Sequence, residues 1–226
     1  MTFTTVFFDI DYCLLDTPRS EHRIIKELYG YQGQLVGDEV GECYREINRK
    51  LWVFLDRGEI TREELYVRRF EKLFAIYPHI WPAAKAAPWF LQQLANAHDA
   101  QDGAGHLLER LQKEGIRIFT ASNGIGAVMN RRVEMAGLSG YLTGKFAADE
   151  IGAMKPSRAY FDHIFRNCGE PDIKKVLMVG DNPVTDVNGA VEYGMTGALF
   201  GARWKEPSKA AYVARTMQEL YIQLFG

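Results

Sequence analysis

The sequence predicts an α/β protein with a Rossmann-like parallel sheet core and an inserted helical-bundle cap. Short apolar segments alternate with segments of helical periodicity, near the N-terminus and again in the second half of the chain. Between these regions lies a long stretch with helical periodicity and no strand pattern. At 226 residues the chain is long enough for one α/β core and a smaller second unit.

Four apolar segments have the length and composition of buried strands. They are rich in β-branched and aromatic residues and span 3–8, 116–121, 176–179 and 195–200. Helical patterns lie among the later segments, at 103–114, 126–136, 157–168 and 185–193. This alternation predicts parallel strands joined by right-handed crossovers, and such sheets bind ligands at the carboxyl ends of their strands.

The long helical stretch is predicted to form a cap over residues 17–99, inserted into a core made of 1–16 and 100–226. It lacks a strand pattern over a length that would otherwise hold two strand and helix units. Thr61 followed by Glu64 is a capping-box pattern, which predicts the start of one cap helix.

Composition and charge exclude several classes of function. Lys and Arg total 27 against 29 Asp and Glu, a net charge of -2, so we expect no nucleic-acid polymer as partner. Cys13, Cys43 and Cys168 form no CxxC pair, which favours reduced thiols over disulfides or a zinc site. The N-terminal apolar run is far shorter than a signal-peptide core or a membrane span. We expect a cytoplasmic protein without a membrane partner, as a monomer or homodimer.

Two carboxylates, Asp9 and Asp11, directly follow the first predicted strand. Residues two apart in an extended segment point the same way, so one carboxylate can attack while the other moves protons. The alternative is that both are solvated turn residues, which are common at strand ends.

Two later segments offer groups that bind anions. Ser122 and Asn123 lie at a predicted strand-to-helix corner, where unpaired N–H groups and the helix dipole favour an anion. Helix capping by either side chain is the alternative. Lys155 precedes Pro156 in a loop, and it is either a catalytic cation or a solvated charge.

A second pair of carboxylates follows a later strand. Asp181 comes just after the segment 176–179, as Asp9 follows the first strand, and Asp186 lies shortly beyond. Asp9 and Asp181 could together hold a hard cation such as Mg²⁺. The alternative is that Asp181 caps a helix and Asp186 lies on the surface.

In order and spacing, these four segments resemble the four motifs of the haloacid dehalogenase (HAD) superfamily. The motifs are DxD, a Ser or Thr after the second strand, a Lys, and GDxxxxD, and together they span 9–186. The helical insertion after the first motif resembles the cap of the members with an α-helical cap. The resemblance implies the HAD fold and a Mg²⁺-dependent phosphatase.

Carried over by position, the resemblance implies that Asp9 is the nucleophile and Asp11 the general acid and base. Ser122 would hold the phosphoryl oxygens, with Asn123 beside it as a further substrate contact. Lys155 would neutralise charge on Asp9 and on the phosphoryl group. This agrees with the chemistry, because phosphoryl transfer depends mainly on positioning and charge neutralisation.

The same resemblance implies a magnesium site. Its ligands would be the Asp9 carboxylate, the backbone carbonyl of Asp11 and the Asp181 carboxylate. Asp186 would support the site from outside this ligand set. The implied reaction is hydrolysis of a phosphomonoester through an aspartyl-phosphate.

Tyr12 and Cys13 depart from the first motif of the superfamily, which has a small or acidic residue and then Thr at these positions. Cys13 matches Thr roughly in size but is a weaker hydrogen-bond donor. Tyr12 is bulkier than the usual residue and would narrow the site. We expect reduced or altered activity. The alternative from a different class is a degenerate binding protein that keeps the fold without turnover.

Within the cap, the runs 48–52, 58–61 and 69–70 resemble bacterial pyrimidine-nucleotide 5′-nucleotidases of the superfamily. The resemblance makes Asn48 and Trp52 candidate substrate contacts, with Trp52 stacking on a base. The alternatives are that Trp52 belongs to the cap core and that Asn48 lies on a solvated helix face.

The expected substrate is a small phosphorylated metabolite such as a nucleoside 5′-monophosphate. A phosphomutase or a sugar-phosphate phosphatase on the same core is the alternative. A dehalogenase would use the same nucleophile but needs neither a metal nor a second carboxylate, so Asp11 and Asp181 favour phosphate chemistry.

Overall fold

The computed structural model describes residues 3–201 and 206–225. The chain forms two compact units, one made of Met1–Asp16 and His98–Gly226 and the other of Thr17–Ala97. None of the helices in the described ranges combines the length and the apolarity needed to cross a membrane.

A parallel sheet forms the centre of the first unit. Its strands within the described residues are β1 Thr5–Phe8, β2 Arg117–Ser122, β3 Gly144–Ala147, β4 Val176–Gly180, β5 Thr196–Phe200 and β6 Tyr212–Ala214. The strand order is β3-β2-β1-β4-β5-β6, and every neighbouring pair is parallel. Strand β1 lies between β2 and β4, with Phe8 level with Thr120 and Val179. The residues that follow these three strands therefore meet at one edge of the sheet.

Four helices form the second unit: α1 Thr17–Gly30, α2 Asp38–Asp56, α3 Arg62–Ile76 and α4 Ala83–Ala95. Their apolar stripes bury a shared core in which the rings of Tyr44, Phe70 and Phe90 lie 5.1 to 5.8 Å apart. The predicted capping box is confirmed. The Thr61 hydroxyl accepts the backbone N–H of Glu64, and the Glu64 carboxylate accepts that of Thr61.

Helices cover both faces of the sheet. They are α5 Ala104–Lys113, α6 Gly126–Met135, α7 Ala148–Ile151, α8 Arg158–Asn167, α9 Gly189–Tyr193 and α10 Met217–Phe225. Side chains alternate along β1, so Val6 and Phe8 pack on the face that carries Leu108 of α5, and Phe7 packs on the face that carries Phe161 of α8. All four residues of β1 are buried, which explains its continuous apolar run.

The predicted α/β class is confirmed, and the four predicted strands correspond to β1, β2, β4 and β5 with ends that differ by one or two residues. Two strands, β3 and β6, were not predicted from the sequence. Strand β3 has an exposed Lys145 and begins with glycine, and β6 has three residues, so neither shows the apolar run of a central strand. The predicted helix 185–193 is a π-helical turn over Pro183–Asn188 followed by α9.

Candidate active site

Asp9 occupies the centre of the sheet edge where the strands end. Its backbone N–H donates to the Val179 carbonyl at 2.8 Å, which extends the β1 and β4 pairing by one step. The side chain is buried, with 7% of the residue exposed. Ser122 closes β2 on one side of Asp9, and Asp181 follows β4 on the other. The topology thus gathers residues from distant parts of the chain around a single carboxylate.

Lys155 links two of these carboxylates. Its ammonium lies 2.7 Å from Oδ1 of Asp9 and 2.7 Å from Oδ1 of Asp186, and it donates to the Ala121 carbonyl at 2.6 Å. An ammonium has three donors, so these contacts use all of them. The residue is 1% exposed. Burial alone would lower the pKa of Lys155, but Asp186 and Asp9 raise it above its ordinary value, so the side chain stays charged.

Asp9, Asp181 and Asp186 form a buried acidic cluster. Each offers a carboxylate oxygen, and these atoms all lie within 4.8 Å of one another. Burial raises the pKa of Asp9; Lys155 lowers it, while Asp186 and Asp181 raise it further, and the net shift is well above the ordinary value. Burial next to Asp186 and Asp181 therefore favours a proton on Asp9, or a cation in place of that proton.

Within this cluster, both oxygens of Asp186 have protein partners. One accepts from Lys155, and the other accepts the backbone N–H of Asn182 at 3.0 Å. Gly180 makes this approach possible, because a Cβ at that position would lie 2.2 Å from the Asp186 carboxylate. The glycine before Asp181 in the fourth motif thus has a steric reason.

Ser122 and Asn123 sit at the corner between β2 and α6, as predicted. The Ser122 hydroxyl accepts the backbone N–H of Gly124 at 3.0 Å. The Asn123 amide clamps the backbone of Lys155, donating to its carbonyl at 3.0 Å and accepting its N–H at 2.8 Å. The Asn123 side chain is therefore taken up in holding Lys155, a task that its position in the sequence did not suggest.

Asp11 pairs with an arginine that the sequence analysis missed. Its side chain is 39% exposed and contacts the guanidinium of Arg132, whose side chain is 2% exposed. Arg132 lies on α6 in the same buried stripe as Met129 and Val133. The pattern that could have indicated this pairing is a charged residue within the apolar stripe of a helix, because charged residues are buried mainly when they have a partner.

Tyr12 and Cys13 shape the loop after β1. Tyr12 has a φ of 63°, in the left-handed region that non-glycine residues rarely adopt. Cys13 is fully buried, and its thiol donates to the Val179 carbonyl at 3.8 Å. Burial, and next the charge of Asp9, raise the pKa of Cys13 well above its ordinary value. The residue is therefore a neutral donor that ties the loop to β4, and it lacks the thiolate that a nucleophile needs.

The two cap candidates, Asn48 and Trp52, belong to the unit Thr17–Ala97. Asn48 is buried on α2, and its Nδ2 donates to the Glu21 carboxylate at 3.2 Å. Trp52 is half-buried and packs against a small apolar cluster that contains Leu51 and Leu65. Asn48 is therefore not on a solvated helix face, and Trp52 contributes part of its ring to the cap core.

The family model for haloacid dehalogenase-like hydrolases matches residues 3–194. The chain belongs to this family. The matched range includes the acidic cluster, Lys155 and the helical unit Thr17–Ala97.

Two curated relatives of this HAD-like hydrolase are pyrimidine 5′-nucleotidases. YjjG of Escherichia coli (strain K12) is 28% identical over 221 residues, which cover 98% of this chain and 96% of YjjG. PynA of Streptococcus pneumoniae (strain ATCC BAA-255 / R6) is 26% identical over 195 residues, which cover 86% of this chain and 82% of PynA.

Solved structures of HAD-like hydrolases share the fold. The magnesium-bound HAD-hydrolase YfnB of Bacillus subtilis superposes with a TM-score of 0.91 at 24% identity, with 100% of both chains covered. The L-2-haloacid dehalogenase of Xanthobacter autotrophicus superposes with a TM-score of 0.72 at 17% identity, with 100% of this chain and 99% of that chain covered. These likenesses show the fold, and the chemistry must be argued from the side chains of the site.

Proposed function

We propose that this HAD-like hydrolase is a Mg²⁺-dependent phosphomonoesterase that acts through an aspartyl-phosphate on Asp9, with a nucleoside 5′-monophosphate as substrate. The observation that carries the proposal is the buried contact of Lys155 with Asp9, beside the carboxylates of Asp181 and Asp186. A nucleophile, a fixed cation and candidate metal ligands then share one edge of the sheet.

The donor set fits magnesium. Carboxylate oxygens are the ligands that Mg²⁺ prefers, at about 2.0–2.1 Å, and the cluster oxygens are close enough to share one ion. The negative charge of the site agrees with a bound cation: among the described residues, Lys155 and Arg132 contact a group of four carboxylates, Asp9, Asp11, Asp181 and Asp186. In the proposal, Asp9, the Asp11 carbonyl and Asp181 hold the ion, and Asp186 holds Lys155.

The reaction then has two steps. In the first, the Asp9 carboxylate attacks phosphorus, the ester P–O bond breaks, and Asp11 gives a proton to the leaving oxygen. In the second, Asp11 takes a proton from water as the water attacks phosphorus, and Asp9 is released with inorganic phosphate. Bound Mg²⁺ would neutralise charge on the phosphoryl oxygens and keep Asp9 ionised.

Other groups of the core hold the phosphoryl group during both steps. In the proposal, the Ser122 hydroxyl binds one phosphoryl oxygen. Lys155 neutralises negative charge on the phosphoryl group and on Asp9 in both steps. Asn123 acts on Lys155, because its amide fixes the backbone of that residue through two hydrogen bonds. We assign Asn123 a positioning role in place of the direct substrate contact that the sequence suggested.

The two pyrimidine 5′-nucleotidases support a nucleoside monophosphate as substrate, since both match this chain over most of its length. The dehalogenase likeness concerns the fold. Attack on carbon needs no second carboxylate paired with a buried arginine, so the Asp11 and Arg132 contact favours phosphate. A sugar phosphate remains the alternative substrate on the same core.

The test is phosphate release from p-nitrophenyl phosphate and from nucleoside monophosphates by the purified protein with Mg²⁺. Asp9→Asn removes the nucleophile and should lower kcat by at least about 10³-fold. Asp102→Asn, at an exposed position, is the matched control and should keep full activity. Mass spectrometry after acid quench should show a phosphorylated Asp9 peptide in the wild type. Full activity in EDTA, or in Asp9→Asn, would refute the proposal.

A further inference from the structure

The turn after β1 contains a residue in an unusual backbone conformation. Tyr12 has a φ of 63°, in the left-handed region, whereas Asp11, the residue before it, does not have a positive φ. The Cys13 N–H donates to the Ile10 carbonyl at 3.3 Å, which closes a four-residue turn with Asp11 and Tyr12 at its centre. A negative φ followed by a positive φ at the two central positions is the pattern of a type II turn.

The type of this turn decides the direction of one backbone carbonyl. Turns of types I and II differ mainly by a rotation of the central peptide group by roughly 180°, so the carbonyl of the first central residue points to opposite sides of the turn. Here that carbonyl belongs to Asp11, and it is a ligand of the proposed magnesium site. The positive φ of Tyr12 therefore selects the direction of an oxygen that the proposed site uses.

Other contacts hold the rest of the turn without using the side chain of Tyr12. The Ile10 carbonyl also accepts the N–H of Leu15, at 2.9 Å, and Asp11 forms an isolated parallel bridge with Leu15. The Asp11 carboxylate contacts the guanidinium of Arg132. These contacts fix the ends of the turn and the side chain of Asp11, and the backbone preference of residue 12 acts on the peptide group between them.

Tyrosine is a poor residue for this conformation. In the left-handed region the Cβ of an L residue comes too close to the following carbonyl oxygen, and glycine avoids this clash because it has no Cβ. Among the described residues, only Tyr12 and Glu170 have a positive φ without being glycine. The folded chain therefore holds Tyr12 against its own backbone preference, and the other turn type competes with the observed one.

We infer that Tyr12 is a positioning residue for magnesium that acts through its backbone. Its left-handed conformation presents the Asp11 carbonyl to the ion, and the cost of that conformation weakens Mg²⁺ binding relative to a chain with glycine at this position. A ligand that binds only one of two conformations loses apparent affinity in proportion to the fraction of molecules in the other. The inference rests on the proposed function, because the Asp11 carbonyl is a ligand of the proposed site.

The test is calorimetry of Mg²⁺ binding to the substrate-free protein, with glycine and alanine compared at position 12. Both substitutions remove the ring, so a difference between them reports the backbone conformation alone. Tyr12→Gly should bind Mg²⁺ roughly 3- to 10-fold more tightly than Tyr12→Ala, because only glycine adopts a positive φ without this cost.

Two further comparisons extend the series. The wild type should bind Mg²⁺ like Tyr12→Ala, within about 3-fold, because its Cβ has the same clash. Tyr12→Asn should lie between alanine and glycine, since asparagine visits the left-handed region more readily than other residues with a Cβ. The Mg²⁺ concentration that gives half-maximal phosphate release should follow the same order.

Glu170 offers the matched control, because it is an exposed residue with a φ of 45° in the loop between α8 and β4. This loop precedes a strand, so it lies at the edge of the sheet opposite to Asp9. Glu170→Gly and Glu170→Ala make the same change of backbone preference away from the site. They should not differ in Mg²⁺ affinity.

Failure of the inference and failure of the proposed function are distinguishable. Calorimetry needs no turnover, so tighter Mg²⁺ binding in Tyr12→Gly than in Tyr12→Ala supports the inference even if the protein releases no phosphate, which would refute the proposed function. Equal affinities in these two variants, or a protein that binds no Mg²⁺ in any form, would overturn the inference. Tighter binding in Glu170→Gly than in Glu170→Ala would do so too, because the gain would then be a general effect of glycine.

Discussion

The core and the cap both bury cations, but they treat them differently. In the core, Lys155 uses all three donors on Asp9, Asp186 and the Ala121 carbonyl. In the cap, Arg69 of α3 is buried among aromatic rings, and two of its nitrogens have no acceptor among the described residues. A fully paired cation is fixed in place, as stabilisation of a transition state requires. A buried cation with open donors costs stability, because hydrogen bonds do not offset its loss of hydration. We therefore expect the removal of these two cations to have different effects on stability.

The largest expected effect comes from removing Lys155, the buried cation of the core. Lys155→Met leaves Asp9 and Asp186 buried without their partner, so we expect a loss of about 3–5 kcal/mol in the free energy of unfolding in EDTA. Activity with Mg²⁺ should fall by at least about 10³-fold. Arg69→Met should leave the free energy of unfolding unchanged or raise it, because it removes open donors from an apolar site.

Chemical denaturation and kcat measurements on both variants check this contrast. Lys145→Met, an exposed lysine of β3, is the control for the loss of charge and should behave as the wild type. A Lys155→Met variant as stable as the wild type, or an Arg69→Met variant destabilised as strongly, would break the comparison between core and cap.

The next effect concerns Arg132, which we treat as a positioning residue for Asp11. A nucleoside is a poor leaving group and needs the Asp11 proton, whereas p-nitrophenolate leaves without one. Arg132→Gln should therefore lower kcat/KM for a nucleoside monophosphate by roughly 10- to 100-fold, and for p-nitrophenyl phosphate by less than about 3-fold. Arg110→Gln, in an exposed ion pair on α5, is the control. Equal losses on both substrates would show that Arg132 has a structural or phosphate-binding role.

Much of the core site could be predicted from the sequence, because it depends on local sequence patterns. Asp9 and Asp181 directly follow segments that have the pattern of buried strands, and the carboxyl ends of parallel strands meet at one edge of the sheet. The pairing of Arg132 with Asp11 could not be predicted in this way, because it joins residues 121 positions apart. Helical periodicity shows that a residue faces inward, but not which residue of another element it meets. The same limit applies to the Asn123 clamp and to the open donors of Arg69.

A smaller effect concerns the dependence of stability on pH. The pKa of Asp9 is raised by burial, and by Asp186 and Asp181, against the opposing charge of Lys155. A carboxyl whose pKa is raised in the folded state contributes stability at pH values below its unfolded-state pKa of about 4. This contribution is lost as pH rises through the pKa of the folded state. In EDTA, the Tm of Asp9→Asn should therefore increase by a few degrees relative to that of the wild type as pH rises from about 4.

Mg²⁺ should reduce this difference at neutral pH, because it binds the folded wild type and has lost a ligand in the variant. Thermal melts across pH, with EDTA and with Mg²⁺, measure both effects. A Tm difference between Asp9→Asn and the wild type that does not change with pH would show that Asp9 is not the titrating group.

The smallest effect tests the loop after β1. The Cys13 thiol donates to the Val179 carbonyl at 3.8 Å, a weak bond at the position where the superfamily has Thr. Cys13→Thr should strengthen this tie and raise kcat by less than about 10-fold, while Cys13→Ala should lower the free energy of unfolding by about 1 kcal/mol. Cys168→Ser is the control, because that thiol donates to the Phe165 carbonyl at 3.1 Å and packs in the core cluster that includes Phe161. Activity that appears only in Cys13→Thr would mean that the natural chain keeps the fold for binding, since a carboxylate cluster without a fixed loop holds a ligand but does not turn it over.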